Sequence, residues 1–167
     1  MTATKRLVLT AVNIALCLVL PMAFHSIPNG GKIMLPMHIP VLLCGMVCGA
    51  PYGAVCGLLG PMLSSVLTGM PTAALMPAMM VECAAYGLVA GLLLRFVRTE
   101  KTYADLYIAL LGAMLVGRLI SGVSKAIFFM AGKYTMQAWI AASFVTALPG
   151  IVLQLAVVPS IVYYLMR

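Results

Sequence analysis

Acidic side chains are almost missing from this chain. Its 167 residues hold three, Glu82, Glu100 and Asp105, against ten lysines and arginines, and charged residues of both signs make up only 8%. A water-soluble globular domain carries about 25%, so a soluble fold would lack the polar groups to cover its surface. The same scarcity removes whole reaction classes. The sequence has no HExxH pair, no glycine-rich phosphate loop, no nucleophile set beside a base and no cluster of acidic metal ligands. Catalysis has little to work with, so no enzyme activity, metal or cofactor is expected. Cysteines stand at 17, 44, 48, 56 and 83, all in apolar stretches. Cys44 and Cys48 are four residues apart, but no histidine or carboxylate completes a ligand set, so these thiols read as buried and reduced.

What the chain does have is apolar length. Hydrophobic residues make up 64%, and the mean hydropathy is +1.14. A spanning helix needs about 20 apolar residues, and runs of that kind tile nearly the whole chain. The expected fold is all-α, a single integral membrane domain over residues 1–167. A net charge of +7 invites a nucleic-acid reading, but the basic residues form no patch and sit at helix ends, where topology determinants belong. Lys5 and Arg6 ahead of an apolar run look like the start of a signal peptide. No small-residue cleavage site leads into a soluble chain, so the run reads as a retained first helix.

Six segments are expected, at 5–25, 37–49, 52–68, 72–96, 103–131 and 138–166. The second is short for a full span and carries Pro40 in its first turn. Turn signals separate them: IPNGGK after the first, GAPYG and TGMPT around the third, RTEKTYAD after the fourth and GKYTMQ before the sixth. No internal repeat is visible, which argues against an inverted-repeat transporter. With the N-terminus in the cytoplasm, Lys5, Arg6, Arg95, Arg98, Lys101 and Arg167 lie inside and only Lys32 and Lys133 outside, which predicts an N-in, C-in topology. Gly45, Gly49, Gly53 and Gly57, and again Gly87 and Gly91, recur at four-residue spacing. Small residues so spaced let helix backbones approach closely, within the chain or in a dimer.

Two cations interrupt the fifth segment, Arg118 and Lys125. Ionisable groups inside a bilayer face a bundle interior or a wet cavity. Seven residues make close to two helical turns, so the two share one face with Ser121. The only acidic residue in a span, Glu82, falls between them in depth and shares its own face with Met79 and Tyr86. One carboxylate cannot neutralise two cations. Either the excess positive charge holds an anionic ligand, or Arg118 and Glu82 form a structural clamp while Lys125 snorkels outward. Trp139 lies on one face with Ser143 and Thr146, as an interfacial anchor or a ligand stacker. His38 opens the second segment as a cap or a ligand. Asn13 and Gln154 read as interhelical hydrogen-bonding groups.

With an A-x-x-x-A strip at Ala11 and Ala15 of the first helix and the stretch MHIPVLLCGMVCGAPYGAVCGLLGPMLSSVLTGMP at 37–71, the chain resembles the substrate-binding S components of energy-coupling factor (ECF) vitamin transporters. The likeness spans essentially the whole sequence, and its pattern is most similar to the pantothenate-type subgroup. It implies a multi-pass protein of a bacterial cell membrane that captures a vitamin-like small molecule from outside. Its partners would be a membrane T component and two ATPase subunits. It also implies docking through Ala11 and Ala15, and a pocket near the outer face that here implicates Arg118, Lys125, Glu82 and Trp139, capped by Asn29 to His38. Two rival readings are a ligand-free scaffold, in which Arg118–Glu82 is structural, and an intramembrane lipid-modifying enzyme, for which Glu82–Arg118 is a poor reactive pair.

Overall fold

A computed structural model of the protein describes residues 1–23, 33–97, 99, 101–126 and 135–166. They form a helical bundle: α1 (Ala3–Ala23), α2 (His38–Cys48), α3 (Ala50–Thr68), α4 (Met76–Phe96), α5 (Thr102–Ser124), α6 (Met136–Ile140), a π-helical turn (Ala141–Val145) and α7 (Leu148–Met166). Among the described residues, five helices are long and apolar enough to cross a membrane: α1, α3, α4, α5 and α7. Large apolar side chains such as Val8, Leu111, Leu115, Val123 and Val152 lie exposed along their outer faces, as lipid-facing positions do.

The short second segment is the centre of the bundle. At 11 residues, α2 is about 16 Å long by helical rise, half the hydrocarbon thickness. Every residue of it except Val47 is buried. Such a helix can be apolar all round because it has protein on every side. Around it, α3 packs along α4, α4 along α5, and α1 against α3 and α2.

Glycine is what brings the central backbones together. A Cβ added at Gly45 would strike the Gly87 carbonyl, one at Gly87 would strike Gly53, and one at Gly57 would strike Cys83, all backbone atoms that cannot move aside. The four-residue spacing therefore serves packing within the chain, at a junction of α2, α3 and α4. Gly49 departs from the pattern, since its φ of +105° makes it the turn between α2 and α3.

Several boundaries differ from expectation. Residues 72–75 form a turn with Leu75 N–H donating to the Thr72 carbonyl, and α4 begins only at Met76, with Pro77 in its first turn. α5 ends at Ser124, and the predicted stretch to 131 runs out of the described residues after 126. The sixth segment is not one α-helix. Pro149 has no N–H to give the Val145 carbonyl, and the chain passes through a π turn at 141–145 before α7 resumes.

α1 shows one polar and one smooth side. Thr10, Asn13 and Cys17 are buried, whereas Ala11 and Ala15 are exposed on the opposite face. Asn13 does not reach another helix as expected. Its Nδ2 donates to the Leu9 carbonyl one turn back, 2.8 Å away. The five cysteines are buried and unbridged, with the Cys44 thiol 3.6 Å from Thr10 Oγ1 and the Cys17 thiol donating to the Met37 carbonyl at 3.7 Å.

Candidate functional site

Glu82 sits in the middle of α4 with 9% of its surface exposed, and three helices converge on its carboxylate. Ser121 Oγ of α5 donates to Oε2 at 2.6 Å. Lys125 Nζ, just past the end of α5, lies 3.5 Å from the same oxygen. His38 Nε2, at the start of α2, stands 3.5 Å from Oε1. Ser121 and Lys125 are four residues apart and so reach one point from one face of α5. α2 opens at the right level because the Met37 carbonyl is tied to Cys17 of α1 and because His38 N–H donates to the Leu35 carbonyl.

The expected Arg118–Glu82 clamp is not formed. Among the described residues the carboxylate's ion-pairing partners within 4 Å are His38 and Lys125. Arg118 faces elsewhere: its guanidinium lies over the Phe144 ring, 5.6 Å from the centroid, close enough for a cation–π contact. It is 5% exposed. Lys125 does not snorkel free either, since its ammonium is held back at Glu82 with 29% of the side chain exposed. The two cations that share a face in the sequence thus divide their work, one neutralised by a carboxylate and one resting on an aromatic ring.

His38 is the least satisfied member of the cluster. Its ring packs edge-on to Tyr86 at 4.8 Å between centroids, which leaves it 2% exposed. Yet neither ring nitrogen has a hydrogen-bond partner among the described residues, because the 3.5 Å approach to Glu82 is not aligned for one. Tyr86 is held in turn by Gly117, where a Cβ would come within 2.9 Å of its ring. Met79 lies one turn from Glu82 on α4 and is half-buried. Asn29 lies outside the described residues.

Trp139 is tied into the bundle as a cross-link between helices. Its Nε1–H donates to the Arg118 carbonyl at 3.3 Å, and its indole sits where a side chain on Gly122 would be. It meets Phe144 edge-on at 5.8 Å. Ordinary helical spacing pairs Trp139 with Ser143 and Thr146, but the π turn shifts the register by one residue. Phe144, five positions on, takes the place beside it, and Thr146 is exposed. Phe144 is the site residue that reasoning from the sequence missed. The signal available for it was Pro149, which forbids regular α-helix four residues earlier. Gln154 also departs from expectation: it is fully buried, and its amide finds no partner among the described residues.

A family model described as ECF transporter, substrate-specific component, matches residues 5–162. The chain belongs to that family. The match takes in every described helix of the bundle, including both sides of the Glu82 cluster. Comparison with curated proteins and with solved structures gives no match. As an ECF substrate-specific component, the chain is a multi-pass membrane protein of a transport system, and the buried polar cluster between α2, α4 and α5 is its candidate substrate site. At the opposite end of α1 from this cluster, a shallow apolar cleft of about 330 Å³ is lined by Thr4, Lys5, Val8 and Leu9, beside the exposed alanine strip.

Proposed function

We propose that this chain is the high-affinity binding subunit of a bacterial ECF importer for a small anionic micronutrient, with pantothenate the first compound to test. In this reading residues 1–167 form one membrane domain with both termini in the cytoplasm. The substrate enters from the outside through the region above His38 and Lys125. The α1 face bearing Ala11 and Ala15 then docks on a T component driven by two ATPase subunits, and substrate is released inward. The chain itself hydrolyses nothing.

The observation that carries the reading is the charge of the buried cluster. Two cations, Arg118 and Lys125, stand around one carboxylate, Glu82, in surroundings closed to water. Uncompensated charge in such a place is costly, and an anionic ligand offsets that cost. The exposure of Ala11 and Ala15 on the outer face of α1 supports the docking half. The test is uptake of radiolabelled pantothenate by cells that make the chain with a T component and ATPases, alongside native mass spectrometry of the purified chain. Substrate-dependent uptake and a co-purifying small acid are expected. A co-purifying neutral or cationic compound, or uptake indifferent to the T component, would refute the proposal.

A further inference from the structure

The cluster contains two groups whose hydrogen-bonding capacity is unused, and they differ in kind. The Arg118 guanidinium is buried and makes no ion pair among the described residues; Phe144 covers its face, so the in-plane N–H fork remains available. A guanidinium in that state matches a carboxylate through two parallel bonds. The His38 imidazole is buried with both nitrogens unpartnered, which is rare for a polar side chain and costly to maintain. Between them stands Glu82, already engaged by Ser121 and Lys125. With the imidazole neutral, Lys125 and Glu82 cancel, and one net positive charge remains, on Arg118.

Resting on the reading of this chain as a binding subunit, we infer that the site selects a monoanion with two poles: a single carboxylate taken by the Arg118 fork, and an uncharged amide or hydroxyl arm read by His38. Lys125 neutralises Glu82 and is not the anion's contact. This reverses the order of the two cations expected from depth along α5, where Lys125 stands nearer the entrance. A dicarboxylate would bring a second charge with no cation left to meet it. A neutral analogue would leave the guanidinium uncompensated.

The test uses isothermal titration of the full-length chain in lipid nanodiscs with matched small probes. These are N-hydroxyacyl amino acids as the free monoacid, its primary amide and the dicarboxylic aspartate analogue, together with a straight-chain carboxylate of equal length. The monoacid is expected to bind roughly 10- to 100-fold more tightly than its amide, the range of one charge-assisted contact, and more tightly than the dicarboxylate. Arg118→Gln should level acid and amide, whereas Lys125→Gln should weaken both and keep the acid ahead. Arg118→Lys retains a cation if the glutamine variant does not fold, and should keep a reduced preference for the acid. His38→Phe keeps the ring against Tyr86 and should erase the advantage of the amide-bearing acid over the plain carboxylate. An acid preference that survives Arg118→Gln, one that Lys125→Gln abolishes equally, tightest binding of the dicarboxylate, or no binding by any monoacid overturns the inference. Arg118-dependent binding of monoacids without coupled uptake would leave it standing and refute the importer reading instead.

Discussion

The two sides of α4 solve opposite problems. Facing α2 and α3, Gly87 lies backbone to backbone against Gly45 and Gly53, with no polar side chain involved. Facing α5 a turn away, Glu82 and Tyr86 meet Ser121, Lys125 and Gly117 across a surface of hydroxyl, ammonium, carboxylate and ring. The first side has nothing left to satisfy. The second retains a histidine without partners and an arginine without a carboxylate. The difference teaches that stability and binding are separated within one helix: close packing on one side holds the frame that keeps the other side's polar groups in place.

Breaking the packed side should have the largest effect. Gly87→Leu would drive a branched side chain into the Gly53 backbone. Overpacking of a core costs about 1–3 kcal/mol even where side chains can yield, and here the obstacle is main chain. Loss of the monodisperse peak in size-exclusion chromatography is expected, with no ligand able to restore it. Next comes Glu82→Ala, which strands Lys125 and leaves Ser121 without its acceptor. Breaking a buried pair costs about 3–5 kcal/mol; Lys125 is part-exposed, so a loss nearer 2 kcal/mol, seen as a lower melting temperature, is expected. Arg118→Ala sharpens the contrast, for it removes no partner of Glu82 and should spare folded yield while binding falls.

How much of this could be read in advance follows the same division. Helix count, the short central helix and the glycine spacing were legible because apolar length and small-residue periodicity are local properties of the chain. That Arg118 and Lys125 share a face with Ser121 was legible for the same reason. Which of them meets Glu82 was not, because that depends on how α4 and α5 are rotated against each other. Phe144 stayed hidden because a π turn breaks the periodicity by which faces are read, and Asn13 satisfied itself within α1, a choice that residue type alone does not reveal.

Two milder substitutions probe the comparison further. Ala15→Trp places a large ring on the exposed face of α1, away from both sides of α4. Ligand affinity should stay within about twofold, since no contact of the site changes, while coupled uptake is lost; unimpaired uptake would remove the docking role from this face. Gln154→Leu should have the smallest effect. Removing a fully buried amide that has no partner is nearly neutral or stabilising, so the melting temperature should hold or rise by a few degrees. A fall would mean that the amide has a partner in the working protein.

The π turn before α7 has a consequence for how this protein can vary. A π turn is an α-helix carrying one residue too many, so deleting a residue within 141–145 need not disturb α7, whose register is set by its own packing from Ala147 onward. It would instead turn α6 by about 100° and draw it back by about 1.5 Å, swinging Trp139 off Gly122 and moving the aromatic beside Arg118. A single-codon deletion there is therefore a route by which relatives sharing this frame could come to accept different substrates, with every residue of the glycine junction left as it is.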